Sequence, residues 1–131
     1  MFALNITVDV PAGIKDATQG FDAMLQELGS TMHAQTMENF DGSHDPGGAP
    51  WAPTKRGGQI LVDTGALRGS IDFIVGSDSV EVGSNVFYGA FHQSGTSKMV
   101  ARPFIGIGDA DWQELQAIAQ RHLAAMFGAA A

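Results

Sequence analysis

The chain has 131 residues, 44% hydrophobic and 16% charged, with a formal charge of −7 from 14 acidic and 7 basic residues. That is one domain's length, able to bury about two thirds of its unfolded surface, and its apolar content excludes a disordered chain. The acidic balance opposes general binding to nucleic-acid phosphates, and the lack of cysteine excludes disulfides, thiolate metal sites and a cysteine nucleophile.

Phe2, Leu4, Ile6, Val8 and Val10 alternate with Ala3, Asn5, Thr7 and Asp9. This period of two predicts a half-buried strand, not the basic start and apolar run of a signal peptide. No stretch approaches the roughly 18–20 apolar residues of a membrane span. Pro11-Ala12-Gly13 ends the strand. Asp16 to about Glu38 predicts a helix: Asp16 and Gln19 are placed as a capping box, and Phe21, Met24, Leu25, Leu28 and Met32 make one apolar stripe. Gly20 and Gly29 weaken it by roughly 1 kcal/mol each relative to alanine, which close approach of another backbone would explain. Asp41 to Gly58 is rich in Gly, Pro and Asp and predicts a long mobile loop. It carries Trp51 and the adjacent basic pair Lys55-Arg56. Trp51 either docks onto a partner or folds back over its own core.

Gln59 to Asp63 predicts a short strand, turned by Thr64-Gly65. Leu67 to Val75 and Val80 to Gly83 predict a hairpin around Gly76-Ser77-Asp78-Ser79. Ile71, Phe73 and Val75 on one side answer Val80 and Val82. Val86 to Gln93 fits two turns of helix, with Phe87, Ala90 and Phe91 on one face. Ala101 to Gly108 is extended, and Pro103 makes it an edge strand or an irregular segment. Asp109 to Phe127 is the closing helix, with Asp111 and Glu114 at its positive end and Arg121 and His122 near its far end. Trp112, Leu115, Ile118, Ala119, Leu123, Met126 and Phe127 form its buried stripe. The predicted class is α+β, a small antiparallel sheet of the N-terminal strand plus the hairpin, packed with an N-terminal and a C-terminal helix.

Ser70, His92 and Asp63 are the obvious trio for nucleophilic catalysis by residue type. No Gly-x-Ser-x-Gly elbow surrounds Ser70, and Gly69-Ser70 precedes a strand instead of a helix. His33, His44, His92 and His122 lack helical metal-ligand spacing, and His92 is expected to bond a backbone carbonyl. Gly83 to Gly89 lacks the lysine of a phosphate loop, and Gly106-x-Gly108 lacks the rest of a dinucleotide fingerprint. No cofactor or metal is expected.

An ordered series of short motifs remains. It runs Pro50-x-x-Pro53, Ile60-Leu61, Asp63-Thr64-Gly65-x-Leu67-x-x-Ser70-Ile71, Val80-x-Val82-Gly83, Tyr88-x-x-x-His92-Gln93-x-Gly95 and Ala101-Arg102-Pro103-Phe104-x-Gly106, ahead of the last helix. Over residues 40–127 this resembles the phage virion morphogenesis (tail completion) family of Mu-like phages and the wider set of head–tail joining neck proteins. The resemblance implies a single non-enzymatic domain in the neck or tail of the virion, made in the host cytoplasm. It implies a ring, commonly of six copies, that contacts other neck, connector or tail tube proteins, with genomic DNA passing nearby unbound and no membrane contact. By position, the family residues are Trp51, Leu61, Thr64, Gly65, Leu67, Ser70, Tyr88, His92, Gln93, Gly95, Arg102, Pro103 and Phe104. The interface candidates are Trp51, Lys55, Arg56, Arg68, Tyr88, His92, Gln93, Arg102 and Pro103. Gly65 and Gly95 are expected to supply backbone angles closed to other residues. Arg102 is expected to present its fork to a neighbouring subunit. The competing readings are a small hydrolase using His92 with Asp63 or Ser70, and a monomeric regulatory binding domain.

Overall fold

Alternating burial along residues 4–9 sets the first element. The computed structural model describes residues 2–9, 21–53, 65–97 and 100–126. Strand β1 (Leu4–Asp9) turns Leu4, Ile6 and Val8 inward and Asn5, Thr7 and Asp9 outward. It pairs with a hairpin of β2 (Asp72–Val75) and β3 (Ser79–Ser84), giving an antiparallel sheet in the order β1-β3-β2. The register sets Ile6 and Phe73 on either side of Val82, and Val8 and Val75 on either side of Val80. One face of the sheet is therefore continuously apolar, as the alternation requires. The opposite face carries a side-chain hydrogen bond from Asn5 to Glu81.

Helix α1 (Phe21–Gly42) covers the apolar face with Phe21, Met24, Leu25, Leu28 and Met32. Gly29 is what lets it come close. A Cβ there would overlap the Phe73 ring and the Val80 methyl, so sheet side chains fill the space a larger residue would need. The helix ends beyond the predicted Glu38 because Asn39 and Phe40 continue the buried stripe. Its predicted start at Asp16 lies outside the described residues.

The predicted strand from Leu67 is instead a short helix, α2 (Gly65–Gly69), and extended structure begins only at Asp72. Ala66, Leu67 and Arg68 are good helix formers. The turn is closed by the Ser70 amide and hydroxyl, which both donate to the Leu67 carbonyl at 3.1 and 2.6 Å. Gly65 is the first residue of this helix and is not among the glycines with positive φ. Gly95, in contrast, takes φ 76° where it caps α3 (Gly89–Ser94), as expected. The predicted strand at Gln59–Asp63 lies outside the described residues.

Helix α4 (Asp109–Met126) runs antiparallel to α1. Gln35 Nε2 donates to the Asp111 carbonyl and the Glu114 carboxylate at 3.2 and 2.9 Å. About 12 Å further along α1, by the rise per residue, Glu27 pairs with Arg121 and with His122, the latter at 2.8 Å. Leu115 and Ile118 are buried as predicted, but Trp112 is 44% exposed. It stands at the margin of the stripe, beside a groove that α1 and β1 leave open. No described helix is long and apolar enough to cross a membrane.

Candidate functional site

Residues 100–105 have no regular secondary structure, and Pro103 cannot donate to a ladder. Their buried backbone groups must find side-chain partners. The residues picked out in the sequence supply most of them. Gln93 bonds the segment three times: its Oε1 accepts the Phe104 and Ile105 amides at 3.0 and 3.1 Å, and its Nε2 donates to the Ile105 carbonyl at 2.8 Å. Trp51 Nε1 donates to the Pro103 carbonyl at 2.6 Å, and Asn39 Nδ2 to the Phe104 carbonyl at 2.9 Å. The Arg102 amide donates to the His92 carbonyl at 2.7 Å. Phe104, fully buried, stacks on Phe40 at 5.1 Å between ring centroids, and Phe40 meets Trp51 edge-on at 6.0 Å.

The other half of this node is the segment after α1. Its first two expected loop residues, Asp41 and Gly42, still belong to the helix. The chain then closes through a His44–Pro50 bridge, with Asp45 accepting the Gly48 amide on its carbonyl and the Ala49 amide on its carboxylate, both at 2.9 Å. Trp51 follows, 6% exposed and in the core. Of the two readings left open for it, folding back over its own core is the one observed. Arg102 returns the contact, its guanidinium donating to the Ala52 and Pro53 carbonyls at 2.9 and 3.1 Å. Its fork binds backbone carbonyls as predicted, but within its own chain and not across a subunit boundary.

His92 corrects another expectation. Its ring meets Tyr88 edge-on at 6.0 Å, and its buried Nδ1 has no hydrogen-bond partner instead of a carbonyl. Burial, and secondarily the Arg102 charge, push its pKa below the usual histidine value, which favours the neutral ring. Arg68 forms an exposed ion pair with Asp41 at 2.9 Å, a contact worth little in water. Lys55, Arg56, Leu61, Asp63 and Thr64 lie outside the described residues.

Of the catalytic trio, Asp63 lies outside the described residues, and the Ser70 hydroxyl is bonded to groups other than His92. Ser70 gives its proton to the Leu67 carbonyl and shares a 2.6 Å bond with Ser84 Oγ, which accepts the Val86 amide. That hydroxyl is committed to a turn, and its partners among the described residues are a carbonyl and a second hydroxyl, neither a base that could activate it. Among the described residues no three His, Asp or Glu side chains are grouped to hold a metal. The participant that sequence reasoning missed is Asn39. Its signal was a polar residue on the apolar stripe, seven positions after Met32.

Among the described residues, apolar side chains also reach the surface, Ile74 and Val100 singly and others in groups. Phe87 is 73% and Phe91 49% exposed, and their rings meet edge-on at 6.5 Å. Phe87, Ala90 and Phe91 share the face expected of them, but it points to solvent. Elsewhere, Phe21, Met24, Leu28, Trp112 and Leu115 line an open groove of about 230 Å³.

The model of the phage virion morphogenesis family matches residues 9–124. The chain is also 41% identical over 68 residues to Mu-like prophage FluMu G protein 1 of Haemophilus influenzae, a match that covers 50% of this chain and 47% of that protein. It thus spans about half the relative's length. No solved structure matches the chain. The chain belongs to the phage virion morphogenesis family, and its role is in phage virion assembly.

Proposed function

We propose that this family member is a structural, non-enzymatic subunit of the phage neck or tail, which completes the tail and supports head–tail joining as a ring, six copies matching the usual tail symmetry. The observation that carries the reading is how the polar side chains of the node are used. Trp51, Gln93, Asn39 and the Arg102 fork all bond backbone groups of their own chain, and the Ser70 hydroxyl is tied into a turn. Polar groups so used brace a scaffold and are not free to act on a substrate. A protein of this kind works through the shape of its surface. Its partners are then copies of itself and adjoining neck, connector or tail tube proteins, and its place is the virion. Electron microscopy of lysates from phage lacking the gene tests this. Full heads accumulating beside unattached tails is the expected result, and normally joined virions would refute it.

A further inference from the structure

The exposed aromatic pair and the apolar groove sit at opposite ends of α1. Helix α3, which follows Tyr88, packs at the C-terminal end: a Cβ on Gly89 would touch Leu67 and Phe104, and Phe104 lies against Asn39 and Phe40. The groove floor is Phe21, Met24 and Leu28, near the N-terminal end. From Met24 to Phe40 is about 24 Å at the helical rise per residue. An apolar cavity of about 150 Å³ is enough to admit benzene, and this groove holds about 230 Å³. A projecting phenylalanine pair and a recess of aromatic size are thus carried by one chain near opposite ends of α1. A head-to-tail contact can pair the two features from copy to copy, and such contacts close into rings.

We propose that Phe87 and Phe91 of one subunit seat in the groove between α1 and α4 of the next copy, Trp112 forming its outer wall. This rests on the ring reading above and names the surfaces that make the ring. Anchors of this type, aromatic residues entering an apolar recess, carry most of the energy of an interface. The contact is polar in direction: each subunit gives its aromatic pair to one neighbour and its groove to the other.

The chain has no cysteine, so engineered thiols report without background. The double variant Phe87→Cys with Ala119→Cys, mildly oxidised, should give a ladder of covalent oligomers, while each single variant stops at dimer. Phe87→Arg and Trp112→Arg should each abolish self-association in sedimentation and leave the circular dichroism spectrum unchanged. Mixed, the two should form a one-to-one dimer and nothing larger, because one intact pair of surfaces remains. A wild-type chain that stays monomeric overturns the proposal, as does a double-cysteine variant that yields no ladder or a mixture of the two arginine variants that stays monomeric. So does a Trp112→Arg variant that loses stability with association unchanged, which would place the groove's occupant within the subunit. If the gene deletion separates heads from tails while Phe87→Arg phage assemble normally, this contact is wrong and the function stands. If the deletion leaves virions joined, the functional reading itself fails.

Discussion

Gln93 is the residue on which the node turns. Removing its amide strands two backbone N–H groups and one carbonyl, and an unsatisfied buried group costs about 1–3 kcal/mol. Partial access to water lowers that sum, so Gln93→Ala should cost about 2–3 kcal/mol in urea titration. Trp51→Ala removes both a ring from the core and the bond to Pro103, and should cost about 3–5 kcal/mol. Arg102→Ala should cost only about 1 kcal/mol, because the Ala52 and Pro53 carbonyls it leaves can be hydrated. A larger loss for Arg102 than for Trp51 would invert this picture. His92 adds a dependence on pH. Its folded pKa lies below the ordinary 6.5, so the unfolded chain takes up the proton first and stability falls as pH drops below that value. The thermal midpoint should decline between neutral pH and pH about 5, and less so in His92→Leu.

Among the elements, α1 organises the others. It meets the sheet through Gly29 and α4 through Gln35 and Glu27. Gly29→Ala would normally favour a helix, but its methyl would overlap the Phe73 ring and Val80. Overpacking of this kind costs about 1–3 kcal/mol. The variant should therefore be less stable than the parent on thermal denaturation, and a gain in stability would show that the sheet can move aside. The hairpin tolerates less change in register than in composition, since a slip of one residue would turn Phe73 and Val75 outward. Helix α2 shows the opposite case, where a five-residue segment with one buried side chain, Leu67, offers no period to read.

For the whole molecule, charge and surface shape matter more than any single side chain. A formal charge of −7 on a subunit proposed to sit on the DNA path suits a lumen through which DNA slides without adhering. Duplex DNA should show no retardation by the protein at physiological salt, and tight binding there would contradict an acidic lumen. Among the described residues, exposed apolar surface includes Phe87, Phe91 and the groove by Trp112, besides Ile74 and Val100, as suits a protein that associates.

The sequence alone determined β1, the paired part of the hairpin and the two long helices, because each buries one face and so writes its period into the apolar positions. It also determined the hairpin's register through Phe73, Val75, Val80 and Val82, and the order of motifs by which the family is recognised. Only the tertiary structure decided what those motifs do. Trp51 reaches Pro103 across 52 residues and Asn39 reaches Phe104 across 65, and no local period records a bond between a side chain and so distant a backbone group. Whether Phe87, Phe91 and Trp112 face inward or out was decided there too, since an apolar stripe says that something covers it, and only packing says whether its own chain already does.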